Sequence, residues 1–172
     1  RVVIAASGDV VVGGRAGSAG FVAWYRDHAV ARTLQVASPV DDLAAFDGGV
    51  AVVAGGVLSV YTEDGSVLWQ ATGEPGVSWR AVAARADGSF VVTASASWGD
   101  PSTPPGKVAV FGQRVSTSGQ LVGAPVTVES HTQAQDYLLA GAVVPTPGGG
   151  WAGVWMDGST IPPFLGGFGE TL

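Results

Sequence analysis

The chain has 172 residues, 47% of them apolar, a net charge of −6 and no cysteine. That length and apolar content fit one globular domain with a real core and exclude a disordered chain, while the missing cysteine excludes disulfides and thiolate-bound metals. The eight basic residues form no cluster, which argues against nucleic acid, and Gly, Asp, Arg or Pro interrupts every apolar run before it could span a bilayer.

In chain order the sequence reads as repeats of strand, glycine turn, strand. VVIAASGDVVVGG (residues 2–14), DLAAFDGGVAVVAGG (42–56), AVAARADGSFVVTASA (81–96) and GAVVPTPGGGWAGVWMD (141–157) share this plan. The turn glycines Gly8, Gly48 and Gly88 lie 40 residues apart, and the fourth, near Gly148, lies 60 further on. A period of about 40 to 45 with four strands per repeat is the spacing of propeller blades.

The second halves follow suit. FVAWYRD (21–27) and AVARTLQV (29–36) complete the first repeat, and the second runs through strands at 43–46, 50–54, 57–62 and 66–70, jointed by Gly or Asp-Gly, the strongest short hairpin signal. In the third, the insert SWGDPSTPPG (97–106) precedes KVAVFGQRV (107–115), the turn STSG and LVGAPVTV (121–128). The fourth repeat shows only two strands before the tail STIPPFLGGFGETL (159–172) departs from the pattern.

Runs such as VVVGG and VAVVAGG are continuously apolar, as in sheets covered on both faces. The polar residues Arg26, Asp27, Arg32, Gln35, Glu63, Gln70, Gln113 and Arg114 are assigned to outer strands, and no window has a helical period. The expected fold is therefore all-β and propeller-like, with about three and a half four-stranded blades at 1–38, 39–74, 75–130 and 131–158, then an apolar Pro/Gly-rich tail at 159–172. Such a stack does not close on itself. Its bare edge and faces call for a protein partner, by strand addition, or for self-association.

VLSVYTEDGSVLWQ (57–70), after a Val-rich strand closing in Gly-Gly, resembles bacterial β-propeller repeats of secreted proteins. VFGQRVSTSGQLVGAPVTV (110–128) resembles the outer hairpin of bacterial surface-protein repeats. The resemblance implies a propeller fold and a scaffolding or binding role, since such repeats rarely carry a catalytic signature. The Trp-Asp and Gly-His signatures of WD40 repeats are missing.

No catalytic, metal or cofactor site is expected. His28 and His131 sit at unrelated positions and read as solvated loop residues, although Glu129 and Asp136 flank His131. Asp64, Asp87 and Asp157 belong to turns, and Asp41 and Asp42 stand at a blade entry, without the spacing of a calcium loop. No serine lies in a G-x-S-x-G elbow, and the glycines of GGRAGSAG (13–20) precede no helix. Trp24, Trp69, Trp151 and Trp155 are read as core. The binding candidates are Trp98, Pro104 and Pro105 in the insert, Trp79 opening a blade, and Ile161, Pro163, Phe164, Leu165 and Phe168 in the tail.

Only 13% of residues are charged, against about a quarter in typical proteins, so the surface relies on Ser, Thr and Gln. That suits an extracellular, periplasmic or surface protein of a bacterium. One Lys against seven Arg and the lack of Asn fit a GC-rich genome and leave no Asn-linked glycosylation site, and a chain opening at Arg1 reads as a mature or processed piece. The function expected is that of a non-enzymatic structural or interaction protein within a larger assembly. The alternatives are a carbohydrate- or calcium-dependent binding module using Trp98, Trp79 and the Asp-Gly turns, or a non-catalytic part of a secreted enzyme.

Overall fold

The computed structural model of the chain describes residues 1–74, 76–98, 107–131, 138–147, 150–157 and 164–170. They form strands and turns throughout; among them there is no helix, and hence none long and apolar enough to cross a membrane.

The first sheet holds β1 (Val2–Ile4), β2 (Val10–Ala16), β3 (Ala19–Arg26) and β4 (Ala29–Val36), and the second holds β5 (Val40–Phe46), β6 (Gly49–Ala54), β7 (Val57–Thr62) and β8 (Val67–Thr72). The third holds β9 (Val77–Ala84), β10 (Phe90–Trp98), β11 (Lys107–Val115) and β12 (Leu121–His131). The fourth holds β13 (Leu138–Pro145), β14 (Trp151–Asp157) and β15 (Phe164–Glu170). Each is an antiparallel meander in chain order.

The periodic glycines do what the spacing implies. Gly8, Gly48 and Gly88 have φ of 86°, 100° and 78° and turn the first hairpin of sheets one, two and three, a left-handed geometry that glycine adopts without steric cost.

Three features differ from the expectation. Phe164–Glu170, placed in a departing tail, is the third strand of the fourth sheet, paired with β14 without a break from Trp151↔Glu170 to Asp157↔Phe164. Ladder pairing is a backbone property, so FLGGFGE joins a sheet although it lacks the alternation that marks a strand in sequence. Ser97 and Trp98 extend β10 opposite Val108 and Lys107 instead of opening a loop. Gln113, read as an outer polar residue, is buried at 4% exposure, because its Nε2 donates to the carbonyls of Arg114, Val122 and Gly123.

The first strand of each sheet is innermost, and it packs against the neighbouring sheets in series: β5 on β1, β2 and β3, then β9 on β5, β6 and β7, then β13 on β9, β10 and β11. The pleat divides the side chains between neighbours. Along β6, Val50 and Val52 join Val11, Val22 and Trp24 of the first sheet, while Ala51 and Val53 join Trp79, Phe90 and Val92 of the third. That is why VAVVA is continuously apolar. Between the third and fourth sheets the core is Ala81, Ala83, Val91, Val143 and Trp151, with Val110 and Trp155 beside it.

Candidate functional site

The feature that needs a functional explanation lies at the two ends of this stack. On the first sheet, Val2, Ile4, Val10 and Tyr25 face away from the second sheet, in the register Val2↔Val12, Ile4↔Val10 and Val10↔Tyr25. Their exposures are 64%, 69%, 39% and 37%. On the fourth sheet Leu139, Val144, Val154 and Met156 likewise face outward, opposite in pleat to the buried Val143, Trp151 and Trp155. Among the described residues the first and fourth sheets share no packing comparable to that between successive sheets.

The second sheet shows what such a face looks like when covered. Counting from the hairpin turns, Leu43, Val50, Val52 and Tyr61 occupy the places of Val2, Val10, Val12 and Tyr25, with the same pairs Leu43↔Val52 and Val50↔Tyr61. All four are buried against the first sheet, Tyr61 at 6% exposure where Tyr25 has 37%. At the other end, Val154 stands where Val53 stands in β6, yet Val53 is fully buried and Val154 half exposed. The end faces are thus the two halves of the interface that the chain builds internally between its own sheets.

Polar groups hold these internal interfaces in register. Ser7 N donates to Glu63 Oε1 at 3.1 Å across sheets one and two, Val82 N to Asp42 Oδ2 at 3.1 Å across two and three, and Ala140 N to Ser95 Oγ at 2.8 Å across three and four. Along the innermost strands two ion pairs link successive blades, with Arg1 Nε 3.4 Å from Asp42 and Arg80 Nη1 3.7 Å from Asp41.

Asp41 and Arg80 are the extra residues of β-bulges in β5 and β9. The second bulge decides the place of Trp79. Regular alternation would put Trp79 on the side of Ala81, facing the fourth sheet; with Arg80 bulged out, Trp79 pairs with Ala94 and turns into the core between sheets two and three at 1% exposure. Trp79, a binding candidate in the sequence at a blade opening, is a buried strand residue. It lies under a groove of about 310 Å³ that Glu74, Phe111, Leu121 and Thr127 also line.

The other sequence candidates are dispersed. Trp98 ends β10, and Phe164, Leu165 and Phe168 lie on β15, paired with Asp157, Met156 and Gly153 of the end sheet. Pro104, Pro105, Ile161 and Pro163 fall outside the described residues, as does Asp136. His28 sits with Asp27 in the β3–β4 turn, both at positive φ, and His131 ends β12 opposite Val108. Of the tryptophans read as core, Trp24, Trp151 and Trp155 are buried, and Trp69 packs partly against the core of sheets two and three.

The Asp-Gly turns use their carboxylates locally. Asp64 accepts from Thr62 and Ser66, and those hydrogen bonds hold its carboxyl below the usual range; Asp87 is lowered in the same way by Ser89, with Arg114 Nη2 at 2.7 Å. Asp9, held low by the Arg26 guanidinium, closes the corresponding pair in the first sheet at 2.8 Å. No group of three or more side chains able to hold a metal occurs among the described residues.

No family model matches the chain, and no curated protein does. Among solved structures it superposes on virginiamycin B lyase from Staphylococcus aureus with a TM-score of 0.61 at 9% identity, covering 99% of this chain and 55% of that one. That protein is a β-propeller. The fold here is that of a propeller. Hydrazine synthase of Kuenenia stuttgartiensis (TM-score 0.48, 11% identity, 93% of this chain and 56% of that one) and a streptogramin B lyase (0.42, 8%, 99% and 67%) resemble it more loosely. The propeller chain thus spans about half the length of the lyase on which it superposes, and each of its four sheets is a blade.

Proposed function

We propose that this chain is a non-enzymatic interaction scaffold, a propeller segment that works within a larger assembly of the extracellular or cell-surface kind. The observation that carries this reading is the pair of apolar end faces, above all Tyr25 and Val10, exposed in the first blade at the places where Tyr61 and Val50 are buried in the second. Contiguous apolar surface of this sort marks an interface. What fits it is another blade, since a blade already covers the equivalent residues inside the chain. The carboxylates of Asp64 and Asp87 are engaged in their own turns and Trp79 is buried, which removes the motivation for a calcium or glycan site built on them.

Hydroxyl-radical footprinting of the soluble chain tests the reading. Tyr25 and Met156 should be oxidised several-fold more slowly than their exposure in a lone chain implies, while Leu68 and Leu121 on the outermost strands label freely. Slow labelling of Tyr25 and Met156 in a chain that light scattering finds monomeric would count against it, because the end faces would then be covered without an assembly.

A further inference from the structure

We propose that the cleft between the first and second blades binds one ring of a neutral carbohydrate. The cleft is bounded by two blades of the same chain, so this site goes beyond the scaffold reading, and its occupancy and the covering of the end faces fail independently.

The cleft measures about 310 Å³. It lies between the end of β4 with its link to β5, which supply Val36 and Ser38, and the face of the second blade that carries Val52, Ser59, Tyr61 and Gln70. That size is at the small end of ligand pockets, about 300–1,000 Å³, and suits a single sugar ring.

The lining selects the ligand. No charged side chain borders the cleft among the described residues, so an ion would enter without a counter-charge and forfeit its hydration. A wholly apolar ligand would cover polar groups that still need partners. Tyr61 is 6% exposed and Ser38 half-buried, and the hydroxyls of both lack a hydrogen bond among the described residues. Ser59 Oγ accepts from Gln70 Nε2 at 2.9 Å, which leaves the serine proton and the Gln70 carbonyl oxygen available to an incoming group. Each sugar hydroxyl both donates and accepts, which matches this mixture, and the C–H face of the ring matches Val36, Val52 and the tyrosine ring.

The groove between the second and third blades, also about 310 Å³, shows why the first cleft is singled out. Tyr61 pairs with Val50 and Val115 with Phe90, the second residues after Gly48 and Gly88, so the place of the unpaired tyrosine hydroxyl is held there by a fully buried valine. Ser59 corresponds in the same way to Gln113, whose amide nitrogen is taken up by three carbonyls. The floor of that groove is Trp79 and Phe111. Polar capacity left unused is thus a property of the first cleft.

Saturation-transfer difference NMR on the 172-residue chain tests the site with D-glucose, D-galactose, D-mannose and N-acetyl-D-glucosamine at millimolar concentration. At least one should receive saturation. Tyr61→Phe keeps the ring in the interblade core and removes only the hydroxyl, and Gln70→Ala releases Ser59; circular dichroism verifies that both remain folded. Each should weaken binding by about fivefold, the worth of one hydrogen bond, while Thr127→Val in the second groove leaves it unchanged. D-glucuronate, which carries a charge, and cyclohexanol, which keeps a ring but one hydroxyl, should bind about tenfold more weakly than the best neutral sugar. Saturation of none of the four sugars, binding that survives both Tyr61→Phe and Gln70→Ala, loss in Thr127→Val, or equal binding of glucuronate or cyclohexanol would overturn the site.

Discussion

Trp69 Nε1 donates a 2.8 Å hydrogen bond to the carbonyl of Thr117, 48 residues away, tying the outermost strand of the second blade to the β11–β12 turn of the third. The indole lies on that turn so closely that a Cβ on Gly119 would come within 2.7 Å of its Cε3, and Gly119 itself has φ of 84°. The contact latches two blades at their rim, far from the innermost strands that pack at the axis. Trp69→Phe should cost about 1 kcal/mol through the missing hydrogen bond. Gly119→Ala should cost more, because it adds left-handed strain to the clash. Urea melts of both variants check the order, and an equal or smaller loss for Gly119→Ala would show that the turn moves freely from the indole.

The third and fourth blades meet through a closer fit. Trp151 is 2% exposed, and its ring covers Gly112 so tightly that a Cβ there would collide with the indole at Cζ2 and Cε2. Gly112→Ala should destabilise by about 1–3 kcal/mol as an overpacked core does, and Trp151→Ala by about 3–5 kcal/mol. Combined, the two should cost less than their sum, since the alanine methyl then enters space the indole has left. A double-mutant cycle in denaturant measures that coupling; strict additivity would mean that the two residues do not share a site.

The strands were legible where turns punctuate them and obscure where the backbone departs from regular alternation. Gly8, Gly48 and Gly88 announce the blades because only a residue tolerant of positive φ suits those turns. The place of Trp79 depends on a bulge at Arg80 that nothing in SWRAVAA advertises, and the burial of Gln113 depends on carbonyls of β12 freed beside another irregularity in the ladder. β15 was hidden because its membership rests on main-chain pairing with β14, not on side-chain pattern. The end faces were only half legible. A three-and-a-half-blade count implies bare surface, but the equivalence of exposed Tyr25 with buried Tyr61, which shows how the same face is covered inside the chain, emerges from the register.

Acid stability should depend on Arg26. Its two hydrogen bonds to Asp9 hold that carboxyl below its ordinary value of 3.8, so the native state favours the ionised form more than the unfolded chain does. The resulting stabilisation is full above the unfolded value and disappears as pH falls through the lower folded one. Arg26→Gln lacks this contribution at every pH, so its melting temperature should lie below the parent's at neutral pH, and the gap should narrow as acid titrates Asp9, because the parent alone loses the Asp9 stabilisation. Melting curves from pH 7 to pH 2 test this; a gap that stays constant over the whole range would remove Asp9 from the account.

The bulge at Arg80 predicts an unusual tolerance to deletion. Arg80 is the residue without a partner on β10, between Ala81↔Thr93 and Trp79↔Ala94, so removing it straightens β9 while Trp79 stays opposite Ala94 and inside the core. Val77 keeps its partner Ala96, and the deletion abolishes only the 3.7 Å approach of the Arg80 guanidinium to Asp41, a surface pair of small value. Deleting Ala51 from the bulge-free β6 instead slips part of that strand by one residue and turns its apolar side chains to the wrong faces. The Arg80 deletion should therefore melt cooperatively with Trp79 still shielded from a fluorescence quencher, whereas the Ala51 deletion should abolish the folded state. Trp79→Ala, at about 3–5 kcal/mol, calibrates the loss expected had the indole left the core. An Arg80 deletion as damaging as Trp79→Ala would show that the bulge is needed to hold Trp79 in place.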